Sequence, residues 1–285
     1  MHLLPRLTRR RFLAALGGAA LLGLYTWRVE PHWVEVVHRE MPIPNLPDHL
    51  VGKTLVQLSD LHIGPRVDSA FIQRSLCLVN ELRPDLVCIT GDFMTCDDCE
   101  QIDEVTRVMK SLAIPPMGCF AVLGNHDYGH GHKLGSFRPH VADRLVSRLT
   151  DLGIETLRNA SRLTDGLRVI GLDDLWKKRF DAVPVAADLA SPTPSVVLSH
   201  NPDTADLDAF AGYRGWILSG HTHGGQCKAP FLPPPLLPVK NRRYTAGAFD
   251  LGDGRHLYVN RALGYLRRVR FNVRPEITVF RLVAA

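Results

Sequence analysis

Hydrophobic residues along this chain fall into short runs that stop at turn residues. LVQLS precedes Asp60, LVCIT precedes Gly91, FAVL precedes Gly124, SVVL precedes Ser199 and GWIL precedes Ser219. Runs this short, rich in β-branched and aliphatic side chains and closed by Gly, Ser or Asp, predict buried strands. Between them the apolar period becomes helical. Phe71, Ile72, Leu76, Val79 and Leu82 share one face over residues 69–82, with Asp68 placed to cap the start. Val141, Leu145, Leu149 and Leu152 do the same over residues 141–152, which Gly153 closes. A weaker helical pattern covers residues 100–111, and further strands are predicted at Leu167–Leu172, 256–260 and 276–282. Strands alternating with helices predict an α/β fold. No internal repeat or second domain is visible. Residues 30–48 carry Pro31, Pro42, Pro44 and Pro47 and read as a connector that is in part an edge strand. The Pro-rich segment 228–243 cannot be a helix, because proline removes backbone donors and fixes extended geometry.

The polar residues that end these strands are metal donors. They form the words Asp60-Leu61-His62, Gly91-Asp92, Gly124-Asn125-His126-Asp127, Ser199-His200 and Gly220-His221-Thr222-His223. Carboxylate, carboxamide and imidazole are the oxygen and nitrogen donors that divalent transition metals take. In α/β sheets, ligands bind beyond the carboxyl ends of the strands. Five donor clusters in five such places predict one shared site. A single D-x-H or H-x-H would be a weak signal; five in register with strands are a strong one.

In this order the words resemble the calcineurin-like metallophosphoesterases, over about residues 54–282. The flanking words TLVQLSDLHIG, GHTHGGQ and FNVRPEITVFRL are similar to the exported bacterial phosphodiesterase branch, the YkuE/YaeI-like proteins. The resemblance implies a four-layer α/β/β/α sandwich and two divalent metal ions, manganese, zinc or iron. It implies a metal-dependent phosphodiesterase that hydrolyses a phosphoester by dimetal-activated hydroxide attack. Carried onto this chain, Asp60, His62 and His223 hold one metal, Asn125, His200 and His221 the other, and Asp92 bridges them. His126 is then a non-ligand that protonates the leaving oxygen or stabilises charge, and Asp127 orients its ring. His130 and His132 read as exposed loop residues. Phe93-Met94-Thr95 after Asp92 lacks the tyrosine of purple acid phosphatases. Asp127 in place of Glu, with no Asp-Arg-Gly, argues against a serine/threonine protein phosphatase. Two alternatives stand beside the main reading: a UDP-diacylglucosamine-type lipid-nucleotide pyrophosphohydrolase, and a non-catalytic scaffold on the same fold. The substrate is a phosphodiester of lipid or cell-envelope origin on the first two readings.

Charge changes this picture at one end only. The sequence pI is near 9.0, but residues 1–28 hold Arg6, Arg9, Arg10, Arg11 and Arg28 and no acid. Setting those aside leaves 29 basic residues against 29 acidic ones, so no nucleic-acid partner is implied. Ten Lys/Arg against three Asp/Glu in residues 240–285 read as a solvated basic face. Thr8-Arg9-Arg10-Arg11-Phe12-Leu13 contains a twin-arginine word, and residues 12–27 are uncharged but shorter than the roughly 20 needed to cross a bilayer. Residues 1–28 are therefore expected to be a twin-arginine export signal or a retained anchor, residues 29–50 a connector, and 51–285 the metallophosphoesterase domain. The export machinery is the implied partner, and the periplasm or the outer face of the cytoplasmic membrane the implied location. Cys77, Cys88 and Cys119 read as buried; Cys96 and Cys99 read as a local disulfide or two free thiols, without zinc-finger spacing. Segment 228–243 follows the last metal word and is expected to overhang the site. Its Phe231, Leu232, Leu236 and Leu237, backed by Lys240, Arg242 and Arg243, suit an acyl chain or membrane surface; a packed surface loop is the other reading.

Overall fold

A computed structural model describes residues 8–95, 99–129, 138–210 and 212–285. His130, His132 and Cys96 lie outside the described residues, and with them the readings of that loop and of the Cys96–Cys99 pair. After helix α1 (Arg9–Leu24) come β1 (Glu35–Ile43), β2 (Thr54–Leu58), α2 (Ser69–Glu81), β3 (Leu86–Thr90), α3 (Cys99–Met109) and β4 (Cys119–Val122). The chain continues through α4 (Pro139–Asp151), β5 (Ile154–Thr156), β6 (Ala160–Thr164), β7 (Leu167–Leu172) and α5 (Ala186–Leu189). It closes with β8 (Ser195–Ser199), β9 (Gly215–Ser219), β10 (Gly247–Asp250), β11 (Arg255–Val259) and β12 (Glu276–Ala284).

The strands build two six-stranded sheets, ordered β1-β12-β2-β3-β4-β5 and β10-β11-β9-β8-β7-β6. The central strands β2-β3-β4-β5 and β7-β8-β9-β11 run parallel, while β12 meets β2 antiparallel. Side chains alternate across a strand, and here the alternation sorts them into three cores. Leu55, Leu86, Cys88, Phe120 and Val122 of one sheet meet Val196, Leu198, Trp216 and Leu218 of the other. Val56, Val87, Ile89 and Ala121 face outward onto Ile72, Leu76, Val105 and Leu145 of α2, α3 and α4. On the far side Ile170, Val197, Ile217 and Leu257 pack on Val185, Leu189, Phe210 and Tyr213. Apolar residues on both faces explain why the strands read as continuous runs. The layers are helix, sheet, sheet and short helices, the expected α/β/β/α sandwich.

Local signals match their elements. Asp68 caps α2 by accepting from the Ala70 N–H at 3.0 Å, and Gly153 turns out of α4 with φ +80°. The segment read as a partial edge strand is β1, which pairs with β12 in parallel from Glu35 to Ile43. One reading needs correction: Cys77 is exposed, because it falls on the outward face of α2 between the buried Leu76 and Val79. The N-terminal helix also runs further than the uncharged stretch suggested. Helical turns continue without a break from Arg9 to His32, a 24-residue run about 36 Å long at 1.5 Å per residue.

Candidate metal centre

Each donor word sits just past the carboxyl end of a strand: β2, β3 and β4 in one sheet, β8 and β9 in the other. Backbone pairing carries on beyond the strands and keeps the loops in register. Asp60 and His62 donate their N–H groups to the carbonyls of Gly91 and Asp92, and Gly220 donates to that of His200. The chain then turns sharply. Asp60, His62, Asp92, His221 and His223 all have φ between +48° and +69°. Left-handed backbone at a non-glycine residue costs on the order of 1–3 kcal/mol and clusters at functional sites, where the surroundings enforce it. The motif glycines have a different reason. A Cβ on Gly124 would lie 2.2 Å from Asp92 Oδ1, and one on Gly220 would lie 1.8 Å from Ser59 Oγ. Side-chain-free residues let the loops approach this closely.

The donors converge in two triads. Asp60, His62 and His223 bring one ligand atom each within 4.8 Å of one another, as do Asp92, His200 and His221. In the first, His62 Nε2 lies 3.0 Å from His223 Nε2, which is 3.2 Å from Asp60 Oδ1. In the second, His200 Nε2 lies 3.2 Å from Asp92 Oδ2 and 3.1 Å from His221 Nδ1. Asp92 Oδ2 is also 3.6 Å from His62 Nε2, so this carboxylate stands between the triads. A ring nitrogen of His126 falls within the same 4.8 Å limit of His62 and Asp92.

Outer contacts fix which nitrogen faces inward. His200 Nδ1 donates to the Thr90 carbonyl at 2.7 Å, which turns Nε2 inward to face Asp92. His221 is held the opposite way: Nε2 donates to the Pro238 carbonyl at 2.8 Å, leaving Nδ1 inward. His126 Nδ1 donates to the Thr95 carbonyl at 2.9 Å. Ser59 Oγ donates to Asp60 Oδ2 at 2.5 Å, and the His126 N–H donates to Asp92 Oδ1 at 2.9 Å.

Asp127 does not orient the His126 ring as expected from sequence. Its carboxylate accepts the N–H groups of Asp92, Phe93, Met94 and Gly124 at 2.8–3.3 Å, which uses both oxygens on backbone. It ties the β3 loop to the β4 loop. Burial and the neighbouring Asp92 charge push Asp127 up to about 8 while the amides pull it down. Four donors and no acceptor around it fit the ionised form.

Charge in the pocket follows the same contacts. Burial pushes Asp60 and Asp92 up, but the imidazoles of His223 and His200 respectively outweigh it and hold both below the ordinary carboxylate range. Burial holds His62 well down, and burial with the His200 charge takes His221 to about 3; neutral imidazole is the form a metal ligand needs. Asp92 overcomes burial at His200 and raises it to about 10. Asn125 Oδ1, His62 Nδ1 and His223 Nδ1 are buried without a hydrogen-bond partner. A buried carboxamide oxygen left unpaired costs about 1–3 kcal/mol, and a cation beside it removes that cost. The donor set fits divalent transition metals.

Several contributors were invisible in the sequence. Trp176 packs edge-on against His221 with ring centroids 4.4 Å apart, and Asp174, after β7, is buried with Oδ1 unpartnered. Thr90, Thr95 and Pro238 act through backbone carbonyls, which leave no side-chain signature. Loop 228–243 does reach the site, through Pro238. Its end is tied down where the N–H groups of Lys240 and Asn241 donate to the Asp203 carboxylate at 2.8 and 2.9 Å.

Comparison with known proteins gives the same direction. The calcineurin-like phosphoesterase family profile matches residues 53–225. The chain is 31% identical to UDP-2,3-diacylglucosamine pyrophosphatase LpxG of Chlamydia trachomatis, covering 93% of this chain and 94% of the relative. It is also 31% identical to metallophosphoesterase YkuE of Bacillus subtilis, covering 98% and 99%, and 31% identical to phosphodiesterase YaeI of Escherichia coli, covering 97% and 100%.

Proposed function

The chain belongs to the calcineurin-like phosphoesterase family, and from that premise we propose that it is a two-metal phosphodiesterase. The observation that carries the proposal is the pair of buried triads with one carboxylate, Asp92, between them. Asp60, His62 and His223 would hold one metal, Asn125, His200 and His221 the second, and Asp92 both. The donor set suits manganese, zinc or iron. When bound, such a pair lowers the pKa of water and clamps the entering and leaving oxygens of an in-line displacement. The protein supplies the rest. Thr90 and Pro238 hold the two imidazoles in opposite tautomers, and Asp127 fixes the loops that carry Asp92 and Asn125. His126, oriented by the Thr95 carbonyl, gives a proton to the leaving oxygen. Hydrolysis of bis(p-nitrophenyl) phosphate by purified protein tests the proposal; turnover that survives exhaustive chelation would sink it.

A lipid-nucleotide pyrophosphohydrolase is the second reading, supported by the likeness to LpxG and by the exposed Phe231, Leu232 and Leu236 of the loop that reaches His221. Parallel assays with UDP-diacylglucosamine and with phosphodiesters separate the two. The complete donor set counts against a non-catalytic scaffold, and inactivity on every ester with both metals bound would restore it. We also propose export by the twin-arginine route to the outer face of the cytoplasmic membrane or the periplasm. Replacing Arg9, Arg10 and Arg11 together by lysine should keep the folded protein in the cytoplasm; normal export would refute that route.

A further inference from the structure

Beyond the three arginines of its first turn, helix α1 is apolar all round. None of its residues is buried, and Phe12, Leu13, Leu16, Leu21, Leu22 and Leu24 are all exposed. A helix with no polar face has no surface to give water. Its base, however, is built into the folded body. The Arg270 N–H donates to the Thr26 carbonyl at 3.0 Å. Glu30 is 1% exposed and accepts the Val273 N–H at 2.7 Å. The His32 ring stands edge-on to Phe71, with centroids 5.0 Å apart, and the guanidinium groups of Arg28 and Arg268 lie over Trp27. A leader cut away after residue 28 would remove the Thr26 and Trp27 contacts and leave Glu30 and His32 docked near a new chain end.

The strip that receives the helix base also borders the metal site. Phe271, next to Arg270, accepts the Lys228 N–H at 2.9 Å and donates to the Gln226 carbonyl at 3.1 Å. Gln226 lies three residues after His223, and its side chain donates to the carbonyls of Arg267 and Val269, each at 2.6 Å. Lys228 opens the Pro-rich loop, where Phe231 is fully exposed and Leu232 and Leu236 largely so. One short strip, residues 266–273, thus joins two solvent-facing apolar features. Arg28, Arg267, Arg268 and Lys228 lie on or beside this strip, and basic groups of this kind are attracted to anionic lipid headgroups.

We infer that α1 is retained as a membrane anchor, and that its docked base seats the Phe231–Leu232–Leu236 rim of the metal site on that same bilayer. Resting on the phosphodiesterase reading, this makes the substrate class a phosphoester in a lipid headgroup, reached from the membrane surface.

The test is photocrosslinking of the full chain in vesicles of phosphatidylethanolamine and phosphatidylglycerol, with benzoylphenylalanine placed singly at Leu16, Phe231, Leu236 or Leu163. Leu163 is exposed but pairs with Arg168 at the amino end of β7, away from the metal site. Lipid adducts at Leu16, Phe231 and Leu236 should exceed those at Leu163 by about tenfold, since labelling follows contact with acyl chains. Intact mass should show residues 1–28 still present. Adducts at Leu16 alone would leave the anchor and overturn the seating. A mature chain without α1, or equal labelling at all four positions, would overturn the inference as a whole. Labelling reads contact and not turnover, so failure of the phosphodiesterase reading would appear separately, in the soluble diester assay.

Discussion

Asp92 Oδ2 lies 3.2 Å from His200 Nε2, and the same oxygen is 3.6 Å from His62 Nε2. One carboxylate therefore faces a histidine of each triad. Asp92→Asn should lower the occupancy of both metals, with affinity falling about tenfold or more, as read by elemental analysis after dialysis. Loss of one metal alone would reassign the bridge.

His126 is positioned by the Thr95 carbonyl and by its own N–H bond to Asp92. His126→Ala removes the ring and keeps the backbone contact. Metal content should stay near normal while turnover falls by roughly 10²–10⁴-fold if the ring acts as general acid. The loss should shrink for diesters with acidic leaving groups, which need little protonation. A uniform loss across leaving groups would assign the ring to holding phosphate.

Asp127→Asn separates a loop-tying role from ring orientation. An amide NH₂ in place of one oxygen would face backbone N–H groups and leave them unpaired, at about 1–3 kcal/mol for each buried donor. Lower melting temperature together with weaker metal binding is expected. A fall in turnover at unchanged melting temperature and metal content would favour the ring-orienting role.

Asp174 gives a pH signature in metal-stripped protein. Burial raises its carboxyl to about 6. Between the ordinary carboxylate pKa and about 6 the native state holds a proton that the unfolded chain has released. Stability is therefore lost as pH rises through that window. Asp174→Asn cannot ionise, so it should be more stable than the parent at pH 7, by about 1–3 kcal/mol, and no more stable below pH ~4. Denaturation at the two pH values checks this; an equal gap at both would contradict it.

Most of the strands, helices α2 and α4 and the meeting of the donor words were legible because each rests on local pattern; the short or edge strands β5, β6 and β10 were not. Apolar runs closed by Gly, Ser or Asp mark β2, β3, β8 and β9 without any knowledge of partners, and the donors follow from their ends. Long-range backbone contacts were not legible. Nothing in GNHD shows that Asp127 turns toward the amides of residues 92–94, or that a proline carbonyl 17 residues downstream will hold His221. Trp176 and Asp174 follow β7, a strand that ends in no metal word. The length of the N-terminal helix was hidden because Arg28 and Glu30 end the uncharged run while the helical turns continue, held by packing against residues 270–273.

The most direct test of a two-metal centre is a titration of chelated, metal-free protein with manganese or zinc, following aryl diester hydrolysis and bound metal in the same samples. Turnover should stay near the metal-free level until the second equivalent binds, and should then saturate at two metals per chain. Full turnover at one equivalent, or turnover that persists in excess chelator, would contradict a centre in which Asp92 serves both metals.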